Sequence, residues 1–271
     1  MPICSTPPGT EFATLIGMKT YRGLYSKLCS FENVYQAYRD ARRGKRQHAS
    51  VAGFEYDQEK ELLLLRDELQ AGTWSPGSYH SFYIHDPKRR LISAAPFRDR
   101  VVHHALVNVI EPIWEARFID DSYANRIGKG THRALDRCQQ FAQRWRYALQ
   151  CDLKQYFPSI DHALLQAELA RRIRDQAALE VCERAIASGV GVLSEEYDMQ
   201  WFPGDDLLAA ARPRGLPIGN LTSQFWANVY LNDFDHFVKQ ELKCRGYVRY
   251  VDDFLLFGDD KAQLWEWRSA V

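Results

Sequence analysis

The stretch RYVDDFLLFGDD, Arg249 to Asp260, places two adjacent carboxylates, Asp252 and Asp253, inside a run of aromatic and aliphatic residues. Burying an ionised carboxylate is costly unless a cation compensates it. The flanking segments YVRY and FLLF are typical of the two strands of a β-hairpin, with the acids at or next to its turn. The two acids therefore either lie in a solvated turn or hold a metal ion.

A third carboxylate, Asp152, has a similar setting. In RYALQCDLKQYFPSID (Arg146 to Asp161) it ends a strand-like run, which is followed by a turn and then by a helix capped by Ser159 or Asp161. A single Asp at a strand end is most often a solvated turn residue. If this strand lies beside the hairpin, however, three carboxylates converge, and they cannot all ionise without a cation. Such hard oxygen ligands suit Mg²⁺, and two ions held this way would serve phosphoryl transfer.

Composition limits the class of protein. The 271 residues are 46% hydrophobic and 13% aromatic, enough for one large domain or two small ones. The formal net charge is zero, so any basic surface for nucleic acid has to be local. Six scattered cysteines indicate free thiols in a reducing compartment. No apolar run reaches the roughly 20 residues of a membrane span, so we expect a soluble, cytoplasmic protein without a membrane partner.

The pattern of segments predicts an α+β fold. Helical spacing of apolar residues marks Tyr21–Thr73, where one helix begins after a Ser30 cap and another ends at Gly72. Short strands open Tyr79–Arg144 and a long helix follows them. From Arg146 onward strands and helices alternate without a regular βαβ count, which argues against a doubly wound α/β architecture.

Several ordered blocks resemble motifs of bacterial reverse transcriptases related to group II intron enzymes. Tyr250–Asp253 matches the YxDD motif, and DLKQYFPSID from Asp152 resembles the other metal-binding motif of the palm. RLISAAPFRDRVVHHAL (Arg90–Leu106) followed by SYANRIGKGTHRAL (Ser122–Leu135) is similar to the fingers region, and GLPIGNLTSQFWANVYL (Gly215–Leu231) to the nucleotide-pocket motif. YxDD alone is a weak signal, but these blocks in the family's order are specific.

The resemblance implies the fingers and palm of a right-hand polymerase that copies an RNA template onto a DNA primer from deoxynucleoside triphosphates. Under this interpretation residues 1–17 are a disordered leader, with Met18 as the functional start. Residues 18–145 then form the N-terminal helical region and fingers, and residues 146–271 an incomplete palm. The catalytic residues, which are also the ligands of two Mg²⁺ ions, are then the three acids Asp152, Asp252 and Asp253.

The resemblance also implies a nucleotide-binding set. Triphosphates need cations, and guanidinium forks suit phosphate oxygens, so Arg89 or Arg90 is expected to clamp the triphosphate. Such a basic cluster is usually solvated surface, but this one lies beside the pocket motifs; its cations are Lys88, Arg89, Arg90, Arg98 and Arg100. Phe157 matches the aromatic that crowds the sugar 2′ position and favours deoxynucleotides, although a Phe after a strand is most often core. The expected nucleotide-binding residues are Lys88, Arg89, Arg90, Phe157, Gly219, Ser223, Gln224 and Tyr250.

Two further groups are conspicuous in the sequence. RDARRGKR, Arg39 to Arg46, is a second basic run, which we expect to contact the template backbone. His103 and His104 resemble a pair of metal ligands, but side chains at adjacent positions of a helix point in different directions. We therefore expect the two histidines to be structural.

The pocket motif departs from the common family pattern. Most reverse transcriptases read QGxxxSP there, whereas this chain has Ile218 and Gln224 in place of the Gln and the Pro. The IGxxxSQ form resembles the enzymes of diversity-generating retroelements, which copy a template RNA with frequent errors at adenines. Losing the amide removes hydrogen-bonding capacity beside the templating base, and losing the proline frees the helix start. Either these changes loosen pairing discrimination, or they are compensated packing changes in an accurate polymerase.

Three functions stay open at this point. The first is the error-prone reverse transcriptase of a diversity-generating retroelement, with a retroelement accessory protein as a further partner. The second is a group II intron or phage-defence reverse transcriptase, and the third is an inactive, truncated nucleic-acid-binding fragment. Only DDKAQLWEWRSAV follows Gly258, so we expect the family's helical thumb to be absent. Duplex binding, which rests on many phosphate contacts, should then be weak and synthesis distributive.

Overall fold

The computed structural model describes residues 19–86, 88–201 and 205–271. The expected leader, Met18 and Cys4 lie outside these residues. The helices are α1 (Leu24–Leu28), α2 (Phe31–Ala41), α3 (Ala49–Tyr56), α4 (Gln58–Ala71), α5 (Phe97–Glu115), α6 (Thr131–Arg144), α7 (Tyr156–Ser159), α8 (His162–Arg172), α9 (Gln176–Ala187), α10 (Leu221–Tyr230), α11 (Asn232–His236) and α12 (Lys261–Ala270). The strands are β1 (His80–Ile84), β2 (Arg90–Ala94), β3 (Tyr147–Asp152), β4 (Gly246–Tyr250) and β5 (Asp253–Gly258).

Local sequence signals set the ends of several helices. Ser30 caps α2, because its side chain accepts a hydrogen bond from the backbone N–H of Asn33 at 3.3 Å. Helix α4 is followed by Gly72 in the left-handed region at φ 67°, a conformation that glycine adopts without a steric penalty. Of the two caps expected for α8, Asp161 is the one observed, and Ser159 is the last residue of α7. These predicted boundaries are confirmed.

The strands form two small antiparallel sheets. β1 and β2 pair as a hairpin, and the other sheet has the order β3-β5-β4. The register aligns Asp152 with Asp253 across β3 and β5, and Tyr250 with Asp253 across β4 and β5. The predicted hairpin is therefore present, and the strand ending at Asp152 lies beside it. Together with the helices these sheets confirm the α+β fold class.

The three-stranded sheet is covered on both faces. Tyr247 and Leu256, which face each other across β4 and β5, pack into one apolar cluster with Leu264 of α12. Val248 and Phe257 point to the opposite face and join a second cluster with Phe141 of α6. Because a register shift of one residue would exchange the two faces, this double burial fixes the register and with it the position of the strand ends.

The main core lies among the helices outside this sheet. It joins the N-terminal helices to α5, α8, α9 and α10, and Trp114 of α5 meets Phe225 of α10 edge to face with ring centroids 6.0 Å apart. Helix α10 follows the segment predicted to form the nucleotide pocket. Its packing against α5 and α8 therefore holds that segment against the helical core.

Two properties inferred from composition can be followed in the described residues. The five cysteines among them all have free thiols. None of the described helices is both long and apolar enough to cross a membrane.

Candidate active site

Three carboxylates meet at one end of the three-stranded sheet. Asp152 is the last residue of β3, Asp253 the first of β5, and Asp252 lies in the turn between β4 and β5. Each offers one carboxylate oxygen, and these oxygens all lie within 4.8 Å of one another. The sequence predicted this convergence from two separate segments. It arises because antiparallel pairing brings the end of β3 to the start of β5.

The turn that carries Asp252 has an unusual backbone. Val251 has φ 60°, in the left-handed region that β-branched residues rarely adopt. The backbone N–H of Leu153 donates to the Asp252 carbonyl at 3.3 Å, which ties the turn to the end of β3. A residue in this conformation persists only where its surroundings over-determine it, and such residues cluster at functional sites.

A buried polar network lies beneath this turn. The Arg249 guanidinium and the Asp235 carboxylate are both fully buried and form a bidentate pair, with Nε to Oδ1 at 2.7 Å and Nη2 to Oδ2 at 2.6 Å. Nη1 of Arg249 donates to the Val251 carbonyl at 2.9 Å and to Oδ1 of Asn228 at 3.1 Å. The Tyr247 hydroxyl adds a 2.6 Å hydrogen bond to Asp235. The network thus connects the strained turn to α10 and α11.

This network was not predicted from the sequence, although the sequence contains one signal for it. Alternation along β4 places Arg249 on the same face as Tyr247, so the strand pattern puts a charged residue on a face that is buried in the structure. Nothing in the sequence pointed to Asp235 as its partner, because the pair forms across separate elements.

The electrostatics of the three acids favour a bound cation. Burial raises the pKa of Asp252 above its usual range, and the Asp152 and Asp253 carboxylates raise it further. Arg90 acts in the opposite direction and lowers the pKa of Asp252. In the described part of the chain, none of the three acids takes part in an ion pair within 4.0 Å. Oxygen donors that are crowded and lack a paired side chain fit a divalent metal ion, which all three could ligate.

The two candidate triphosphate clamps have different surroundings. Arg89 stacks on the ring of Tyr83, with its guanidinium carbon 4.0 Å from the ring centroid. Arg90 starts β2, opposite Ile84, and lies close enough to Asp252 to affect that carboxyl. Lys88 and both arginines are exposed. Arg90 is therefore placed to act on the Asp252 carboxyl.

Two other cations of the same cluster have structural partners. Arg98 forms an ion pair with Glu68 at 2.5 Å, and Arg100 donates to the Ala95 carbonyl at 2.7 Å. These contacts hold the start of α5 in place. The expectation that Arg98 and Arg100 help to supply phosphate-binding charge gains no geometric support, since both guanidinium groups are engaged in the fold.

The pocket segment is joined directly to the β1–β2 hairpin. Nδ2 of Asn220 donates to the carbonyl of Ser93 in β2 at 2.8 Å. The Ser93 N–H in turn donates to the Ile218 carbonyl at 2.8 Å. Oδ1 of Asn220 accepts from the Ala95 N–H at 3.1 Å. Gly219 has φ 113°, and a Cβ there would lie 2.9 Å from Cγ2 of Ile92. Glycine is therefore required for this close approach.

Asn220 is a second residue that the sequence analysis did not single out. It precedes α10 and would be expected to cap it, but its side chain makes no cap hydrogen bond. Its side-chain amide instead forms hydrogen bonds with the backbone of β2 and of Ala95, and the residue is 2% exposed. The position of Asn220 before a helix indicated that its side chain forms hydrogen bonds. Its partners on and next to β2 could not be predicted from the sequence.

The remaining predicted nucleotide-binding residues lie at different depths. Tyr250 ends β4, and its hydroxyl is 2.9 Å from Oγ1 of Thr131 at the start of α6. Ser223 is buried within α10, and Gln224 next to it is half-buried. Phe157 is half-buried against the main core. Tyr250 shares the carboxylate end of the sheet, because it pairs with Asp253.

The basic run and the histidine pair lie elsewhere. In the run Arg39–Arg46, Arg42 pairs with Glu55 at 2.8 Å, and the pKa of Lys45 is lowered by burial. His103 is buried in α5, where burial lowers its pKa to about 3, and His104 is half-buried. Among the described residues the one cluster of potential metal ligands is the carboxylate trio, and neither histidine belongs to it.

Comparison with known families agrees with the geometry. The profile of the family described as reverse transcriptase (RNA-dependent DNA polymerase) matches residues 84–271, which include all three carboxylates. The chain belongs to the reverse transcriptase family. The fingers and palm fold expected from the motifs is therefore the fold of the family to which the chain belongs.

Individual reverse transcriptase relatives are longer than this chain. Protein YkfC of Escherichia coli (strain K12) is 30% identical over 78% of this chain and 55% of its own length. The group II intron-encoded protein LtrA of Lactococcus lactis subsp. cremoris is 25% identical over 82% of this chain and 36% of its own. Nuclear intron maturase 2 of Arabidopsis thaliana is 26% identical over 48% of this chain and 20% of its own. The lineage related to group II introns, expected from the motifs, fits these relatives.

The acid cluster should make stability depend on a divalent cation. Since the folded pKa of Asp252 is raised, the folded state holds that proton more tightly than the unfolded state does. Stability is therefore lost as pH rises from the ordinary carboxyl pKa through the raised one, and at pH 7 the charge of Asp252 disfavours folding. We predict that Mg²⁺ raises the thermal unfolding midpoint of the natural chain at pH 7, and that Asp252→Asn raises the metal-free midpoint and removes the response to Mg²⁺.

Differential scanning calorimetry with and without Mg²⁺ measures both effects. Asp136→Asn is the matched control, because Asp136 is exposed on α6 and outside the cluster. That variant should respond to Mg²⁺ like the natural chain. An equal response of Asp252→Asn would show that the cation binds elsewhere.

Proposed function

We propose that the chain is an RNA-directed DNA polymerase that adds deoxynucleotides to a DNA primer on an RNA template. The observation that carries the proposal is the set of three carboxylates within 4.8 Å at one end of the palm sheet of a reverse transcriptase. Its site would use two Mg²⁺ ions held by Asp152, Asp252 and Asp253, because small hard cations prefer carboxylate oxygens and also bind phosphates.

The proposed reaction is a phosphoryl transfer. The primer 3′ oxygen forms a bond to the α-phosphorus of the incoming triphosphate while the bond from that phosphorus to the bridging oxygen breaks. Pyrophosphate leaves with the electron pair, and the hydroxyl proton passes to solvent. Bound Mg²⁺ would supply charge stabilisation at the attacking and leaving oxygens. Asp152 and Asp253, on facing strands, and Asp252 in the turn would hold the ligand oxygens in place.

Other residues would position the nucleotide. Arg90 would clamp the triphosphate, since its charge reaches Asp252 whereas Arg89 is stacked on Tyr83. Phe157 would crowd the sugar 2′ position, and Tyr250 would line the same end of the sheet. The remaining members of the proposed nucleotide-binding set are Lys88, Gly219, Ser223 and Gln224.

The first kinetic test replaces one carboxylate. Asp252→Asn keeps the shape of the side chain but removes a charged ligand, so primer extension on an RNA template in Mg²⁺ should fall by several orders of magnitude. The exposed Asp136→Asn should extend like the natural chain. Substantial extension by purified Asp252→Asn would show the two-metal assignment to be wrong.

A second test separates the two arginines. Arg90→Ala should raise the KM for the deoxynucleoside triphosphate by about tenfold or more, because it removes charge-assisted hydrogen bonds to phosphate. Arg89→Ala removes the same charge from the neighbouring position and should change the KM little. Single-nucleotide extension at varied triphosphate concentration measures both values. A larger loss with Arg89→Ala would assign the clamp to Arg89.

We further propose that synthesis is error-prone, as in a diversity-generating retroelement that acts with an accessory protein. Ile218 and Gln224, in place of the family's more common Gln and Pro, support this type. The intron-encoded relatives support the group II intron type at least as well. The two types differ in accuracy, so the error spectrum distinguishes them.

Restoring the common residues tests the pocket directly. Ile218→Gln adds back an amide beside the templating base and should reduce misincorporation, most visibly opposite template adenine. Gln224→Pro should act in the same direction, but it also removes the helix hydrogen bond from the Gln224 N–H to the Asn220 carbonyl at 3.2 Å. The two variants are therefore sequenced separately after extension on RNA. An unchanged error spectrum in an active Ile218→Gln enzyme would show that Ile218 is a compensated packing change without effect on accuracy.

A further inference from the structure

We infer that Arg249 is a positioning residue of the active site, which acts by holding the Val251 peptide so that the three carboxylates converge. The inference rests on the proposed function, since it concerns the same metal-binding site. Arg249 does not contact the carboxylates of that site. It acts through the backbone of the turn that carries Asp252.

The turn that carries Asp252 is strained at Val251. Val251 holds φ 60°, which a β-branched residue leaves readily unless it is held. Rotation of this residue towards the ordinary β or right-handed regions would reorient the following peptide, and with it Asp252. The geometry of the metal site therefore requires a contact that keeps Val251 in the left-handed region.

Arg249 supplies that contact. Its Nη1 donates to the Val251 carbonyl at 2.9 Å, only two residues further along the chain. A guanidinium can do this only if its own orientation is fixed, and here Asp235 binds Nε and Nη2 while Asn228 accepts from Nη1 at 3.1 Å. The backbone of Arg249 is held as well, by hydrogen bonds to Asp121 and Tyr123 at 3.0 Å each.

The arrangement explains why a charged pair is buried at this position. Burying Arg249 and Asp235 costs desolvation, and an apolar pair of similar volume would pack as well. An apolar pair could not donate to the Val251 carbonyl. A lysine would keep the charge but lose the planar fork that engages Asp235 and Val251 together.

The test is a double-mutant cycle between Arg249→Lys and Val251→Gly, read by Mn²⁺ binding to the full chain in the absence of nucleotide and primer. Electron paramagnetic resonance or calorimetric titration gives the dissociation constant, at a temperature well below each variant's unfolding midpoint. Arg249→Lys should weaken Mn²⁺ binding about ten- to hundredfold, as is typical when a residue that supports a metal ligand is lost. In the Val251→Gly background the same substitution should have a much smaller effect, because glycine adopts the left-handed turn without strain.

Arg126 provides a matched control for loss of a buried bidentate arginine. Its Nε and Nη2 bind Glu115, and its Nη1 donates to the carbonyls of Ile119 and Ser122, with 5% of the side chain exposed. Arg126→Lys should lower the unfolding midpoint and leave Mn²⁺ binding unchanged. Equal losses of Mn²⁺ affinity in the Arg249→Lys and Arg126→Lys chains would overturn the inference, because they would show that Arg249 only stabilises the fold.

Additive effects of Arg249→Lys and Val251→Gly would also overturn the inference. If Arg249→Lys does not fold, the triple variant Arg249→Met, Asp235→Leu and Tyr247→Phe removes the donor to Val251 together with both charges of the pair. Of the side chains that bind Arg249, only Asn228 then keeps a polar atom without its partner, and this variant should show the same weakening. Retained affinity in that variant counts against the inference. If the natural chain binds no Mn²⁺ at all, the proposed function fails rather than the role of Arg249.

Discussion

A fully buried ion pair, Arg249 with Asp235, is the interaction on which the active-site end of the sheet depends. Removing one partner of such a pair typically costs about 3–5 kcal/mol, because the other charge is left uncompensated in the interior. The pair therefore fixes α11 against β4. Through its third nitrogen Arg249 also holds the Val251 carbonyl, so the same charge that anchors the sheet shapes the turn with Asp252.

The second constraint is the join between the β1–β2 hairpin and the pocket segment. Asn220 and the backbone of Ser93 and Ile218 form this join, and Gly219 lets the two backbones approach. It holds β2, which begins at Arg90, against the pocket segment. The carboxylate trio and Arg90 thus lie on two sheets that share no strand, and buried hydrogen bonds join the hairpin to the pocket segment.

The local part of this architecture could be predicted from the sequence. The hairpin around Asp252, the strand ending at Asp152, the Ser30 cap and the end of α4 at Gly72 depend on signals within a few residues. The convergence of the three acids depended on one further step, that the strand ending at Asp152 pairs beside the hairpin, and the sequence offered this pairing as a condition. The Arg249–Asp235 pair and the Asn220 contacts could not be predicted, since their partners lie on other elements and only the packed fold brings them together. The proposal of Arg90 rather than Arg89 as the triphosphate clamp needed the position of Tyr83 for the same reason.

The most direct test of the account is a crystal structure of the chain with Mn²⁺, with data collected to show anomalous scattering from the metal. Anomalous peaks are expected at the end of β3 and the start of β5, with carboxylate oxygens of Asp152, Asp252 and Asp253 at a metal–oxygen distance of about 2 Å. Val251 is also expected in its left-handed conformation with its carbonyl bound by Arg249. Saturating Mn²⁺ with no peak between these carboxylates, or with peaks only elsewhere on the molecule, would contradict the central claim.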